Sequence, residues 1–164
     1  MTRSLAPADR DHLLRTLAAV APGARVLSIA TGTAADLARL GFDVWACGPE
    51  PVDDERNRLG EVLGDAAAAR RVTPARPEAL GYGDDTFDWA AVSLGTEVDV
   101  VETLREVRRV VTPGAWIWVA AEVLAPDEMV RLGTEAGLVV AEAVVASGAR
   151  SRGIFRRVEA GVAG

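Results

Sequence analysis

The chain has no lysine and no glutamine, and its 164 residues hold one cysteine, Cys47, and one histidine, His12. A lone cysteine excludes an internal disulfide framework, and one cysteine with one histidine leaves no conventional ligand set for zinc. Long hydrophobic runs are also missing, so no segment reads as a bilayer span. Residues 1 to 10 include Arg3, Asp9 and Arg10 but no apolar stretch of signal-peptide length. A cytoplasmic, metal-free protein without a membrane partner is the resulting expectation. All 18 basic residues are arginine. With the load of Ala, Gly and Val, this reads as a GC-rich coding bias rather than as many separate choices of a guanidinium. Acids outnumber them at 24, for a net charge of −6, which disfavours nucleic acid and other polyanions as partners.

What is present is enough apolar residue, 49%, to build one ordered core. From Pro7 to Val20, residues Leu13, Leu14, Leu17 and Val20 follow helical spacing, and Pro22-Gly23 stops the helix. Arg25 to Ile29 reads as a strand, followed by small residues and a short helix ending at Gly41. Thr33-Ala34-Ala35-Asp36 has the form of a capping box for that helix. Gly41 to Ala46 reads as a second strand, Pro51 to Leu63 as a helix, and Arg71 to Thr73 as a third strand. Gly81 to Asp85 makes a turn, and Phe87 to Leu94 is a fourth strand. Asp99 caps a helix through Val111, Thr112-Pro113-Gly114 ends it, and Ala115 to Val123 is a fifth strand. A helix from Pro126 to Ala136 and strands near Leu138 to Ala146 and Gly153 to Val158 complete the chain, with Gly148 to Arg152 as a hairpin turn. Strands alternating with helices imply an α/β domain with a mostly parallel sheet covered on both faces.

Several residues invite a chemical role and each has a plainer one. Trp116 and Trp118 share a strand face, and Trp45 and Trp89 lie inside other strands, so core packing is expected of all four. Cys47 reads as a small buried apolar residue. His12, alone on a helix, reads as structural. Arg150, Arg152, Arg156 and Arg157 read as an exposed hairpin face, with an anion patch as the alternative.

Two stretches carry a resemblance. Val26-Leu27-Ser28-Ile29-Ala30-Thr31-Gly32-Thr33 runs from a strand into a turn of small residues. Thr86-Phe87-Asp88-Trp89-Ala90-Ala91-Val92-Ser93-Leu94 precedes Leu104-Arg105-Glu106 and Thr112-Pro113-Gly114-Ala115 at a characteristic spacing. In order and spacing these segments resemble class I S-adenosylmethionine (SAM) methyltransferases of the small type-11-like kind, with degenerate motifs, over nearly the whole chain. The resemblance implies a Rossmann-like, doubly wound seven-stranded sheet of order 3-2-1-4-5-7-6 with the last strand antiparallel. Residues 1–23 would form an N-terminal helix and lid, and 24–164 the core. It implies SAM as cofactor, a small-molecule methyl acceptor and a ligand site at the carboxyl ends of strands one and four. Self-association stays open.

Mapped position by position, the family's cofactor contacts fall on Ser28, Ala30, Gly32 and Thr33 in the first turn. The acid that holds the methionine amino group falls on Ser28, and the ribose acid falls on Gly48, with Glu50 two residues later as its substitute. The adenine contacts fall on Arg76 and Pro77, and Pro77 has no N–H to offer. Ser93 and Leu94 end the strand where donor and acceptor would meet. Glu97, in the loop that follows, is the candidate catalytic base or acceptor contact. These replacements remove negative charge from the mapped site, so a non-catalytic methyltransferase-fold scaffold or binding module is the rival function. A nicotinamide-dependent oxidoreductase is distant because no GxGxxG turn is present.

Overall fold

Val26, Leu27, Ser28 and Ile29 are all buried although their side chains point alternately to opposite faces, the mark of a central strand covered on both sides. The computed structural model describes residues 5–49, 51–147 and 150–159. Its elements are α1 (Pro7–Ala18), β1 (Arg25–Ile29), α2 (Ala34–Arg39), β2 (Asp43–Gly48), α3 (Asp53–Leu63), α4 (Asp65–Arg71), β3 (Val72–Pro74), β4 (Phe87–Leu94), α5 (Val100–Val110), β5 (Val111–Ala121), α6 (Pro126–Glu135), β6 (Leu138–Ser147) and β7 (Arg150–Arg157). All seven strands join one sheet in the order β3-β2-β1-β4-β5-β7-β6. Pairing is parallel from β3 through β5, and antiparallel where β7 inserts between β5 and β6. The expected Rossmann-like order is therefore the observed one.

Two apolar layers flank the sheet. Leu13 and Leu17 of α1, Leu37 of α2 and Leu59 of α3 pack with Val26, Val44, Ala91 and Trp118. On the other face Leu104, Val107 and Val110 of α5 and Met129 of α6 pack with Leu27, Ile29, Val92, Ile117 and Phe155. The start of α5 is as the sequence predicts: the Asp99 carboxylate accepts the Glu102 N–H at 3.1 Å. Gly133 lets α6 lie directly on Phe155, because a Cβ there would stand 2.4 Å from the ring carbon Cε1. Glu106 and Arg109, on α5, hold the loop before β4. Glu106 accepts the Leu80 N–H at 2.7 Å, and Arg109 donates to the carbonyls of Leu80 and Tyr82 and to Asp84.

Several local expectations are corrected. Thr33 makes no side-chain cap on α2. Its hydroxyl bonds Thr31 instead, and Asp36 pairs with Arg10 at 2.8 Å. The helix α4, between the expected helix ending at Leu63 and the third strand, was not anticipated; Gly64, at φ +91°, separates it from α3. Strand β5 begins at Val111, directly after α5, so Thr112-Pro113-Gly114 lies within the strand. It is taken up as an irregularity between the Phe87 and Trp89 pairings, where a proline costs no ladder bond. Arg150 and Arg152 belong to β7, while residues 148–149 of the expected turn lie outside the described residues.

Of the four tryptophans only Trp118 is fully buried. Trp116 is 38% exposed and stacks on Trp89 with centroids 6.1 Å apart, and Trp45 carries the Arg71 guanidinium 4.2 Å over its ring. The hairpin arginines are not a free exposed face. Arg152 pairs with buried Asp9 at 3.1 Å, and Arg157 binds Asp85, Glu159 and the Arg108 carbonyl. Polar side chains that find internal partners can be withdrawn from water, which periodicity alone does not reveal.

Candidate functional site

The carboxyl ends of β1, β2, β3 and β4 share one edge of the sheet, and the strand order reverses between β1 and β4. Open α/β sheets leave a crevice at such a switch point. The turn leaving β1 is tight. Ala30 holds φ +57° and Gly32 φ +71°, and the Ala30 N–H donates to the Cys47 carbonyl at 2.9 Å. A residue with a Cβ rarely takes the left-handed region, so this conformation is held by its surroundings.

Three hydroxyls close the inner side of the turn. Ser28 Oγ lies 2.5 Å from Thr31 Oγ1, which lies 2.7 Å from Thr33 Oγ1, and the Thr33 N–H also donates to Thr31 Oγ1 at 3.2 Å. All three residues are buried, with at most 1% exposure. One step further, the Ala34 N–H at the start of α2 donates to Glu55 Oε1 at 3.4 Å. Glu55 comes from α3 and is 8% exposed, and this burial pushes its carboxyl above the usual value of 4.5.

At the end of β2, Gly48 offers no side chain, and a Cβ there would rest in ordinary contact with Ala30 at 3.6 Å. The Gly48 carbonyl accepts the Ala75 N–H at 2.8 Å, which draws the segment after β3 alongside β2. Between this segment and the loop after β4 lies a cleft of about 590 Å³, walled by Pro49, Pro74, Ala75 and Val98. Arg76, Pro77, Glu78 and Glu97 stand at its edge. Arg76 is 84% exposed and pairs with Glu78 at 3.4 Å. A second hollow of about 300 Å³ opens between the loops after β4 and β5. Leu94, Thr96, Val98 and Glu122 are among its walls, so Val98 borders both spaces.

The mapped residues thus divide. Arg76, Pro77 and Glu97 come together on the larger cleft, and Leu94 lines the smaller one. Ser93 is half-buried beside Leu94 at the end of β4. Ser28, Ala30, Gly32 and Thr33 form the β1–α2 turn, with Ser28 and Thr33 engaged inward. Glu50 lies outside the described residues. Cys47 is buried, and that burial pushes its thiol up to about 12, which removes it as a nucleophile. Tyr82, packed near it, is likewise raised to about 12 by burial. His12 holds α1 to β5, its Nδ1 accepting the Trp118 indole N–H at 3.0 Å. Among the described residues no group of three or more His, Cys, Asp or Glu side chains is placed to hold a metal ion. Nor is any described helix long and apolar enough to cross a membrane.

Sequence reasoning did not single out Glu55 or Glu122, and named Thr31 only as part of the small-residue turn. For Glu55 a signal existed: it falls between Val52 and Leu59 at helical spacing, on the face those residues bury. An acid on an apolar face is the informative exception. Thr31 and Glu122 sit in turns, where sequence spacing carries no such warning.

No family model matches the chain. A demethylmenaquinone methyltransferase of Mycolicibacterium paratuberculosis is 35% identical over 104 residues, covering 61% of this chain and 42% of that protein. The chain therefore spans less than half the length of this relative. Among solved structures, a SAM-dependent methyltransferase from Aquifex aeolicus superposes with a TM-score of 0.62 at 19% identity, over 90% of this chain and 88% of that one. The [4+2]-cyclase SpnF superposes with a TM-score of 0.64 at 14% identity, over 93% and 82%. At these identities the superpositions speak for a shared fold alone.

Proposed function

We propose that this chain, a member of the class I methyltransferase fold family, is a SAM-dependent enzyme that methylates a small acceptor. The observation that carries this reading is the pair of hollows at the switch point, one of about 590 Å³ and one of about 300 Å³, which share Val98 as a wall. Their sizes suit small-molecule ligands. The nucleoside half of the cofactor fits the larger cleft, where Pro74, Ala75 and Val98 offer apolar walls and Glu78 and Glu97 offer acceptors at the rim. SAM, when bound there, supplies an electrophilic methyl group.

The chain's own part is then positioning. Pro49, Pro74 and Val98 confine the nucleoside, and Leu94 and Glu122 confine an acceptor next to it. Holding two reactants in line supplies the larger share of such an acceleration. Glu97, which lines the larger cleft next to the shared wall Val98, is the group proposed to contact the acceptor or take its proton. In this reading the protein acts in the cytoplasm on a soluble small molecule. Calorimetric titration with SAM and S-adenosylhomocysteine tests it: saturable heat is expected, and none from either at about millimolar ligand ends the reading.

One observation favours a second reading, a non-catalytic binding module. The hydroxyls of Ser28, Thr31 and Thr33 are spent on one another, and Gly48 brings no carboxylate to the end of β2. The fold is also shared by a protein described as a [4+2]-cyclase, so it does not dictate methyl transfer. A thermal-shift panel of SAM, nucleotides and anionic metabolites separates the two. Stabilisation by a ligand other than SAM, with none by SAM, supports the module.

A further inference from the structure

In and beside the β1–α2 turn, three backbone donors already have protein acceptors. The Ala30 N–H is taken by the Cys47 carbonyl, the Thr33 N–H by Thr31 Oγ1, and the Ala34 N–H by Glu55. The carbonyl of Thr31 in turn accepts the Leu5 N–H at 3.5 Å, and Leu5 is buried. A ligand carboxylate arriving here would meet occupied donors and, in Glu55, a competing acceptor. A ligand ammonium would find Ser28, a neutral hydroxyl that is fully buried and bonded to Thr31. The larger cleft, by contrast, stays open beyond Pro74.

We infer that the site recognises the nucleoside part of its ligand alone and makes no productive contact with an amino-acid tail. The inference rests on the proposed adenosyl reading of the larger cleft and goes beyond it, because it states which half of the ligand carries affinity. The sealing of the turn is the physical cause. A buried hydroxyl chain and a carboxylate from α3 satisfy polar groups of this turn from within, and Ser28, Thr31, Thr33 and Ala34 are all buried. Ligands that share a thioadenosyl group therefore bind alike, whether or not a tail is attached.

S-adenosylhomocysteine and 5′-methylthioadenosine differ in the presence of that tail, so titrating both into the full chain is the test. Their dissociation constants are expected to agree within about threefold. If S-adenosylhomocysteine binds more than about tenfold tighter, the tail is recognised; the inference falls while the adenosyl reading stands. If neither binds, the adenosyl reading falls and takes the inference with it. A second measurement uses Glu55→Ala, which frees the Ala34 N–H and removes the competing acceptor. S-adenosylhomocysteine is expected to gain several-fold in affinity over 5′-methylthioadenosine in this variant. Equal responses of the two ligands would show that occupied donors are not what excludes the tail, and would overturn the inference.

Discussion

Trp118 donates its indole N–H to His12 Nδ1 across 3.0 Å, tying α1 to the middle of β5 through a bond that only an unprotonated Nδ1 accepts. Burial, together with the nearby Arg152, lowers the His12 pKa from 6.5, while Glu142 and Asp9 pull the other way. The folded state then binds fewer protons at this ring than the unfolded state does. Its stabilising effect is full above the unfolded value and is lost as pH falls through the lowered folded value. Thermal unfolding followed from about pH 7.5 to 5.5 should show a fall in Tm that His12→Gln lacks, since glutamine offers an acceptor without titrating. Parallel profiles for the two proteins would refute this account.

Glu55 has the opposite sign. Burial raises its pKa above 4.5, so the folded state holds the proton longer. Its ionisation costs stability as pH rises through the folded value, and the cost is absent below about 4.5. Glu55→Gln should therefore have a higher Tm than the native chain at pH 7, with the gap closing in acid. A uniform offset at every pH would mean that shape rather than charge decides.

Asp9 is fully buried and pairs with Arg152, yet Asp9 Oδ2 and Arg152 Nε have no hydrogen-bond partner. Removing one partner strands a buried charge, so Arg152→Met should cost about 3 kcal/mol in urea unfolding. Combining it with Asp9→Leu should recover most of that loss, because an apolar pair of similar volume has no desolvation cost. Additive losses in the double variant would contradict the assignment.

Gly133 lies under Phe155 with no room for a Cβ. Gly133→Ala should destabilise by about 1–3 kcal/mol, even though alanine is the better helix former. Restoring space with Phe155→Leu in the same chain should return part of it.

Val98 borders both hollows. Val98→Trp should fill their junction and weaken binding of S-adenosylhomocysteine and 5′-methylthioadenosine together, by about tenfold or more. Retained affinity for both, with an unchanged Tm, would place the nucleoside elsewhere.

The alternation of strands and helices was legible because burying apolar runs of about five residues between helical patterns admits few architectures, while the strand order came from the family resemblance. The segments of β1 and β4 coincide with their sequence assignments for that reason. Thr33 does not cap α2 because Thr31 takes its hydroxyl, and spacing along the chain does not rank that partner against the helix N-terminus. The burial of Glu55 could be read from helical spacing, but its contact with the Ala34 N–H, 21 positions away, could not.

The amino-acid order by itself determined where most strands and helices lie and much of the core that they bury. Those properties follow from periodicity, and periodicity is local. Only the tertiary structure decided that the β1–α2 turn is closed from within while the space beyond β3 remains open. That outcome depends on which donors and acceptors from distant segments come within about 3 Å of one another, and hydrogen bonding at that range is settled by packing.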